Sequence, residues 1–335
     1  MNNLFIYENP HPAHRVFAES IDCYIPPRPT RSTVSIPDRI KRSGLYRHFT
    51  RTPFIVRYAI EKTSSGFVLP DRDPDIVLFE GWRQLKIAKK FPNSFRVLIG
   101  GDWYPLVFAG NKKMLSYYED MDMIVSVSDL HKSCLPDSVK ERTHIVHPSF
   151  DLKSRGIASG NDCVFIGNVY ERVKRIDLSI KVFRSSFGKG QEVSFNIVGP
   201  RGGGFRKDNN IYFWGSIGRE SDLFHNILMG SRYYIHWAEH DPHPVTVMEA
   251  MSYGVIPITS PMTGNHYLTT EVSGDIHPCE TMDDACELIR ILENDEDLLD
   301  AVRQRCIDAS KRYIPEVTGS AFRKVVLKGF IRSRS

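Results

Sequence analysis

The segment 233–258 has the residue types and spacing suited to binding a phosphorylated ligand. It reads YYIHWAEHDPHPVTVMEAMSYGVIPI, in which two apolar strands flank a loop of acids and histidines followed by a helix. We predict that Glu249 lies in the first turn of that helix and that Asp241 faces the same crevice. A helix N-terminus offers N–H groups and a positive dipole end to a phosphate, and a nearby carboxylate accepts hydrogen bonds from sugar hydroxyls. The pattern therefore indicates a site for a nucleotide-linked sugar.

The elements that must position this site alternate as they do in a doubly wound α/β protein. Short apolar runs separated by segments of helical spacing lie at 4–8, 75–81, 95–101, 123–128 and 144–149, and again at 163–169, 193–200, 210–216, 233–238 and 255–260. A polar, glycine-containing segment near Asp151 separates the two sets and suits a linker. We therefore predict an α/β protein with two Rossmann-like domains, 1–150 and 151–315, facing across a cleft. A C-terminal helix over 316–335 is expected to cross back to the first domain.

Composition places the 335-residue chain among soluble globular proteins, with 41% hydrophobic and 25% charged residues. No apolar run approaches the ~20 residues that span a bilayer, and the N-terminus lacks the basic and apolar regions of a signal peptide. We therefore expect a cytoplasmic protein. The six cysteines form no C-x-x-C pair, which argues against a zinc site or a disulfide framework.

Two clusters of positive charge stand out against a formal net charge of only +4. One runs from Arg39 to Arg57 with apolar and aromatic residues interleaved, and the other occupies 323–334. Such stretches can contact an anionic membrane surface or nucleic-acid phosphates, or can simply be solvated helix faces. Because no nucleic-acid motif accompanies the charge, we favour membrane contact at the cytoplasmic face over nucleic acid.

Several motifs between Cys163 and Asp275 stand in the order known from one enzyme family. FIGNVYERVKRIDLSIKVF is similar to that family's first strand, basic loop and helix, and FNIVGPRGGG to its Gly-ended strand. DPHPVTVMEAMSYGVIPITS is similar to its acid-x7-Glu signature and helix end, while residues 121–151 agree more weakly with its interdomain strand pair. The chain thus resembles the retaining GT-B-fold glycosyltransferases of the group 1 or family 4 type. The resemblance implies sugar transfer from a nucleotide donor.

The resemblance places the departing diphosphate at the basic loop. Negative charge grows on the β-phosphate as it leaves, and a fixed cation stabilises that charge most in the transition state. Lys174 is the candidate cation. The family usually has an Arg where this chain has Asn168, so Arg172 or Arg175 is expected to supply the guanidinium. The alternative interpretation is that these cations begin a helix and face water.

The acid-x7-Glu signature implies two different roles for its acids. Glu249 is expected to accept hydrogen bonds from the ribose hydroxyls, and Asp241 to contact the transferred sugar or position its loop. Where the family has an aromatic-Gly pair, this chain has His-Pro at 243–244, and proline offers no N–H. Phosphate contacts are then expected from two backbone amides, those of Val245 and Thr246. Stabilisation of a helix N-terminus is the alternative role for both acids.

Further donor-site positions follow from the resemblance. Gly199 and Gly264 are expected beside the donor, where a missing side chain permits close approach. Asn168 lies in the phosphate-binding loop, and backbone groups around Ser216 and Ile217 are expected at the edge of the base. A plain turn explains each glycine nearly as well.

The first domain should carry the acceptor side of the cleft. Asp102 and Trp103 follow a predicted strand in GGDWYPL, and His14 follows the opening strand. Loops after parallel strands line the ligand crevice of such sheets, so these three residues are acceptor-side candidates. For His14, a structural histidine is the alternative.

Together these features predict a retaining glycosyltransferase that moves a sugar from a nucleoside diphosphate sugar to a hydroxyl of a glycan or lipid-linked acceptor. No metal or other cofactor is expected, since the D-x-D pairs at 71–73, 120–122 and 295–297 are poorly placed to hold one against the diphosphate. Two alternatives remain open. One is a catalytically silent, nucleotide-sugar-binding accessory subunit, and the other is a GT-B epimerase or phosphorylase.

Overall fold

Two parallel β-sheets, one from each half of the chain, form the framework of the protein. The structure is a computed structural model, and it describes residues 3–6, 12–24, 74–80, 85, 88–100, 112–151, 154–169, 171–188, 192–200 and 210–335. The prediction of an α/β protein with one parallel sheet in each half is confirmed by these two sheets.

The first sheet has six parallel strands in the order β2-β1-β3-β4-β5-β6. They are β1 (Asn3–Ile6), β2 (Cys23–Tyr24), β3 (Ile76–Glu80), β4 (Phe95–Gly100), β5 (Met123–Ser126) and β6 (Thr143–Ile145). The helices described in this half are α1 (Pro12–Ser20), α2 (Lys112–Glu119), α3 (Asp129–Ser133) and α4 (Asp137–Lys140).

The second sheet has five parallel strands in the order β11-β10-β7-β8-β9. They are β7 (Asp162–Ile166), β8 (Phe195–Val198), β9 (Ile211–Gly215), β10 (Ser231–His236) and β11 (Ile256–Thr259). The helices described in the second half of the chain are α5 (Ile176–Ser186), α6 (Asp222–Met229), α7 (Val245–Met251), α8 (His266–Ser273), α9 (Met282–Glu293), α10 (Glu296–Ser310) and α11 (Pro315–Arg334). The strand order reverses between β7 and β10, which is where such sheets open a crevice for ligands.

Strand β3 shows why the apolar runs of the sequence become central strands. Ile76 and Leu78 join one hydrophobic cluster, whereas Val77 and Phe79 join another. Because alternate side chains of a strand point to opposite faces, both faces of this strand are covered. A strand buried on both sides must be apolar at every position, and IVLF meets that requirement.

Helix α11 carries the chain end back onto the first half of the molecule. The ring of Phe322 stacks on that of Phe17 in α1, with centroids 4.5 Å apart and planes 4° apart. The Arg323 guanidinium donates a hydrogen bond to the Ser20 carbonyl at 2.8 Å. Both contacts join residues about 300 positions apart, so the two ends of the chain stabilise one another.

Ring contacts join the two halves beside the crevice. His147, which follows β6, lies 5.2 Å from the ring of His243 and 5.2 Å from that of Tyr267. His243 is buried, and burial together with the neighbouring His147 lowers its pKa to about 3. The imidazole of His243 is therefore neutral at neutral pH.

This buried histidine should make the fold sensitive to acid. The pKa of His243 in the folded protein lies below its unfolded value of about 6.5. The stability that comes from the neutral His243 ring is therefore fully present above pH 6.5 and is lost as the pH falls toward 3. At pH 5 the protonation of His243 in the unfolded chain costs about 2 kcal/mol of stability. His243→Phe, which keeps an aromatic ring, should therefore lose less stability than the wild type between pH 7 and pH 5. Urea unfolding at both pH values measures this, and equal losses would contradict it.

Candidate active site

The candidate active site lies at the carboxyl ends of β7 and β10, where the strand order reverses. The loop after β7 contains the 3-10 turn Arg172–Lys174, and the loop after β10 runs to the start of α7. The two loops touch, because the amides of Glu239 and His240 donate to the Val173 carbonyl at 2.8 and 3.3 Å. Residues far apart in sequence are thus brought to one edge of the sheet.

Lys174 and Asp241 form a largely buried ion pair at this edge. The Nζ atom of Lys174 lies 2.8 Å from Oδ2 of Asp241, and their side chains are 18% and 7% exposed. A second carboxylate, that of Glu171, is 3.6 Å from the same Nζ. The sequence analysis selected Lys174 and Asp241 separately, and the structure brings them together.

The ion pair sets the charge of both groups. Burial would lower the pKa of Lys174, but the adjacent Asp241 carboxylate raises it above its ordinary value. Burial would raise the pKa of Asp241, but Lys174 and a hydrogen bond from His236 hold it well below its ordinary range. Both groups are therefore charged at neutral pH, so a fixed ammonium stands at the crevice.

His236 is a site residue that the sequence analysis did not select. It is the last residue of β10, is fully buried, and places Nε2 3.0 Å from Oδ2 of Asp241. Burial lowers the pKa of His236, so the neutral ring must carry its proton on Nε2 to donate to the carboxylate. The available signal was a histidine at the end of a buried strand, five residues before Asp241.

The prediction that Glu249 lies in the first helical turn is wrong. Helix α7 begins at Val245, with Pro244 as an extended N-cap residue, so Glu249 falls in the second turn. Its side chain is only 1% exposed and forms an ion pair with Arg219, from the loop after β9. The carboxylate is therefore buried against the loop after β9, one turn beyond the start of the helix.

Arg219 was likewise missed by sequence reasoning. It follows the expected base-edge residues Ser216 and Ile217, of which Ser216 is exposed and Ile217 packs against the core. Burial lowers the pKa of the Arg219 guanidinium, which still remains charged at neutral pH. Nothing in the local pattern around Arg219 indicated a partner 30 residues later.

The first turn of α7 is tied to β7 through a side chain. The Thr246 hydroxyl lies 3.1 Å from the Ile166 carbonyl and 2.6 Å from the hydroxyl of Tyr234. Tyr234 also donates to the Ile166 carbonyl at 2.8 Å. No side chain caps the helix, since Pro244 occupies the N-cap position. The Thr246 hydroxyl is thus engaged within the protein, which leaves the amides of Val245 and Thr246 as the groups for a ligand.

The remaining cations of the basic loop differ in their surroundings. Arg175 has a left-handed backbone (φ 41°), donates to Asp177 at 2.8 Å and lies 3.7 Å from Glu239. Arg172 is exposed and has no carboxylate partner among the described residues. Asn168 donates its amide to Glu171 at 3.2 Å. Arg172 is therefore better suited than Arg175 to meet an incoming anion.

Both predicted donor-site glycines fill tight places in the protein itself. Gly199 has φ +148°, and a Cβ there would lie 1.8 Å from the Gly167 carbonyl oxygen. A Cβ on Gly264 would lie 1.6 Å from the Pro242 carbonyl oxygen and 2.5 Å from Oγ of Ser128. Close approach of backbone to backbone therefore accounts for both glycines.

The first half of the chain contacts the loop after β10, whereas His14 is held within the first half itself. Ser128, the N-cap of α3, donates its hydroxyl to the Pro242 carbonyl at 2.7 Å, next to Asp241. His14 in α1 places Nδ1 2.7 Å from Oε1 of Glu80, at the carboxyl end of β3. The other acceptor-side candidates, Asp102 and Trp103, lie outside the described residues, as does the Arg39–Arg57 cluster.

Other features of the site concern metals, thiols and membranes. Among the residues that the structure describes, no three His, Cys, Asp or Glu side chains are arranged to hold a metal ion. All six cysteines are free thiols. No helix in the described part of the chain is long and apolar enough to cross a membrane.

One protein family matches the second half of the chain. Residues 150–313 match the family model of glycosyl transferases group 1. The comparison with curated proteins found no match.

Solved structures resemble the whole chain. HepE of Anabaena, in complex with UDP-glucose, superposes with a TM-score of 0.69 at 11% identity over 98% of this chain and 100% of that one. Sucrose-phosphate synthase of Thermosynechococcus elongatus gives 0.65 at 12% identity, over 93% and 84%. The lipopolysaccharide outer core galactosyltransferase WaaB gives 0.63 at 15% identity, over 100% of both chains. The chain therefore has the GT-B fold, and its residues 150–313 resemble the glycosyl transferases of group 1.

Proposed function

We propose that the protein transfers a sugar from a nucleoside diphosphate sugar to an acceptor hydroxyl, with retention of configuration at the anomeric carbon. The observation that carries this proposal is the Lys174 ammonium, held by Asp241 at the crevice of the second sheet. The match of residues 150–313 to the family model of glycosyl transferases group 1 supports the reaction class. The UDP and glucose bound to HepE support a nucleotide sugar as the donor.

The proposed donor lies between the loop after β7 and the start of α7. An ammonium has three N–H groups, so Lys174 can bind Asp241 and still donate to a phosphate oxygen. The amides of Val245 and Thr246 face the second side of the diphosphate, and Arg172 adds a guanidinium at the rim. These donors stabilise the charge that develops on the β-phosphate as its bond to the sugar breaks.

Glu249 is proposed to bind the ribose hydroxyls. Its carboxylate is buried and paired with Arg219, so the ribose must share or replace that guanidinium. A buried carboxylate that loses one donor requires another, because an unpaired buried charge is costly. The two ribose hydroxyls can supply those hydrogen bonds, which frees Arg219 to contact the nucleotide.

The proposed chemistry takes place on one face of the sugar. The anomeric C–O bond to the diphosphate breaks, and the departing phosphate oxygen takes the proton of the acceptor hydroxyl, whose oxygen forms the new bond on the same face. Positive charge from Lys174, Arg172 and the α7 amides allows this step without a metal. The acceptor, a glycan or a lipid-linked sugar, is proposed to enter from the first domain, beside His14, Asp102 and Trp103.

Lys174→Ala should lower donor turnover by about 100-fold to 1,000-fold, the loss typical for one electrostatic contact to a transition state. The measurement is release of radiolabelled sugar from a panel of UDP, GDP and ADP sugars, with and without acceptor extracts. Lys181→Ala is the matched control, because Lys181 is exposed on α5 of the same domain.

Three outcomes would overturn the proposed reaction. Donor binding without turnover under any condition would indicate a silent accessory subunit. An epimerised nucleotide sugar would indicate an epimerase, and a sugar 1-phosphate formed with inorganic phosphate would indicate a phosphorylase.

Glu249→Ala should weaken donor binding by about 1–3 kcal/mol, because the ribose hydroxyls lose their acceptor. Calorimetric titration with the donor that the panel identifies gives the dissociation constant. Glu316→Ala, an exposed acid on α11, serves as the control. An unchanged dissociation constant in the Glu249 variant would remove Glu249 from the donor site.

We also propose that the protein contacts anionic membranes at the cytoplasmic face through α11. Lys324, Lys328 and Arg332 recur at four-residue intervals on this helix and are exposed, so they form one positive stripe. Replacing all three by serine should weaken binding to phosphatidylserine vesicles by about 1 kcal/mol per charge, with donor affinity unchanged. Vesicle co-sedimentation at low salt measures this, and a wild-type protein that fails to sediment would contradict the proposal.

A further inference from the structure

One oxygen atom of Asp241 accepts hydrogen bonds from two different side chains. Oδ2 lies 2.8 Å from Nζ of Lys174 and 3.0 Å from Nε2 of His236. Two donors on one oxygen fix the carboxylate in rotation as well as in position. The direction of Lys174 therefore depends on the second donor to that oxygen, His236.

His236 is the most rigidly placed of the three residues. It ends the central strand β10 and pairs in register with Thr259 of β11. Its ring stacks on Phe165, with centroids 5.3 Å apart and planes 15° apart, and has no exposed surface. Lys174 lies in a 3-10 turn and Asp241 in a loop, whereas His236 lies on a strand. His236 therefore holds the other two side chains in position.

Burial keeps the imidazole of His236 neutral although Asp241 and Glu171 raise its pKa. The charged groups that act on it are Asp241, Lys174 and Glu171, and burial keeps the ring uncharged. Nδ1 is buried and has no hydrogen-bond partner in the described part of the chain. Within the described ranges the ring therefore has one polar contact, its Nε2–H donation to Asp241.

We infer that His236 is a positioning residue for the proposed transfer: it holds the Asp241 carboxylate so that Lys174 points at the departing diphosphate. The inference rests on the proposed function. His236 itself touches neither donor nor acceptor and acts through Asp241. Loss of its hydrogen bond lets the carboxylate rotate and the ammonium drift, and misplacement of a catalytic group by 1 Å can cost about 100-fold in rate.

The test compares His236→Leu with His236→Gln. Leucine removes the donor, whereas the glutamine amide can still donate toward Oδ2. We expect kcat for donor turnover to fall at least tenfold in the leucine variant, with donor KM changed less than threefold, because the contact matters most in the transition state. The glutamine variant should recover most of kcat.

His225→Leu is the matched control. His225 is also buried in the second domain, on α6, where it bonds to the Tyr253 hydroxyl away from the crevice. A general loss of packing would lower melting temperature and kcat alike in both leucine variants. Equal kcat values for His236→Leu and His225→Leu, or no recovery with glutamine, would overturn the inference.

A wild-type protein without turnover would refute the proposed function rather than the positioning role. In that case, crystal structures of the wild type and of His236→Leu test the positioning role. The inference predicts that the Asp241 carboxylate rotates and Lys174 shifts in His236→Leu. Unchanged positions of both side chains in that variant would overturn it.

Discussion

The candidate site depends on how the negative charge of one buried carboxylate, that of Asp241, is stabilised. Asp241 is almost removed from water, and a buried charge is stable only when an opposite charge and hydrogen bonds replace its hydration. Lys174 supplies the charge and His236 the second hydrogen bond. This requirement ties the loop after β7 to the loop after β10, and so fixes the ammonium at the point where the strand order reverses.

The same loop joins the two halves of the molecule. Pro242, next to Asp241, accepts a hydrogen bond from Ser128 of the first half, and the Asp241 carbonyl accepts one from the Gly264 amide at 2.7 Å. Gly264 permits this approach because a side chain there would collide with Pro242. The loop that carries Asp241 is therefore joined to the first half through the Ser128 hydroxyl and to Gly264 through a backbone hydrogen bond.

Sequence patterns predicted the framework well and the local geometry of the site less well. The strands were predictable because parallel sheets bury both strand faces, so each strand is a short apolar run bounded by polar residues. Lys174, Asp241 and Glu249 were selected from motif spacing. The prediction that Glu249 lies in the first turn of α7 was wrong. The helix begins only at Val245, because Pro244 is its N-cap, and Glu249 therefore falls in the second turn.

Apolar spacing and motif order were enough to predict the α/β class, the two sets of strands and the residue types suited to a diphosphate. The partner of each polar group became known from the three-dimensional structure: Lys174 with Asp241, His236 with Asp241, and Arg219 with Glu249. Ion pairs and hydrogen bonds form between groups a few ångströms apart in space, whatever their separation in the chain. Lys174 and Asp241 are 67 residues apart in the chain, and the strand order that brings their loops together leaves no local pattern around either residue.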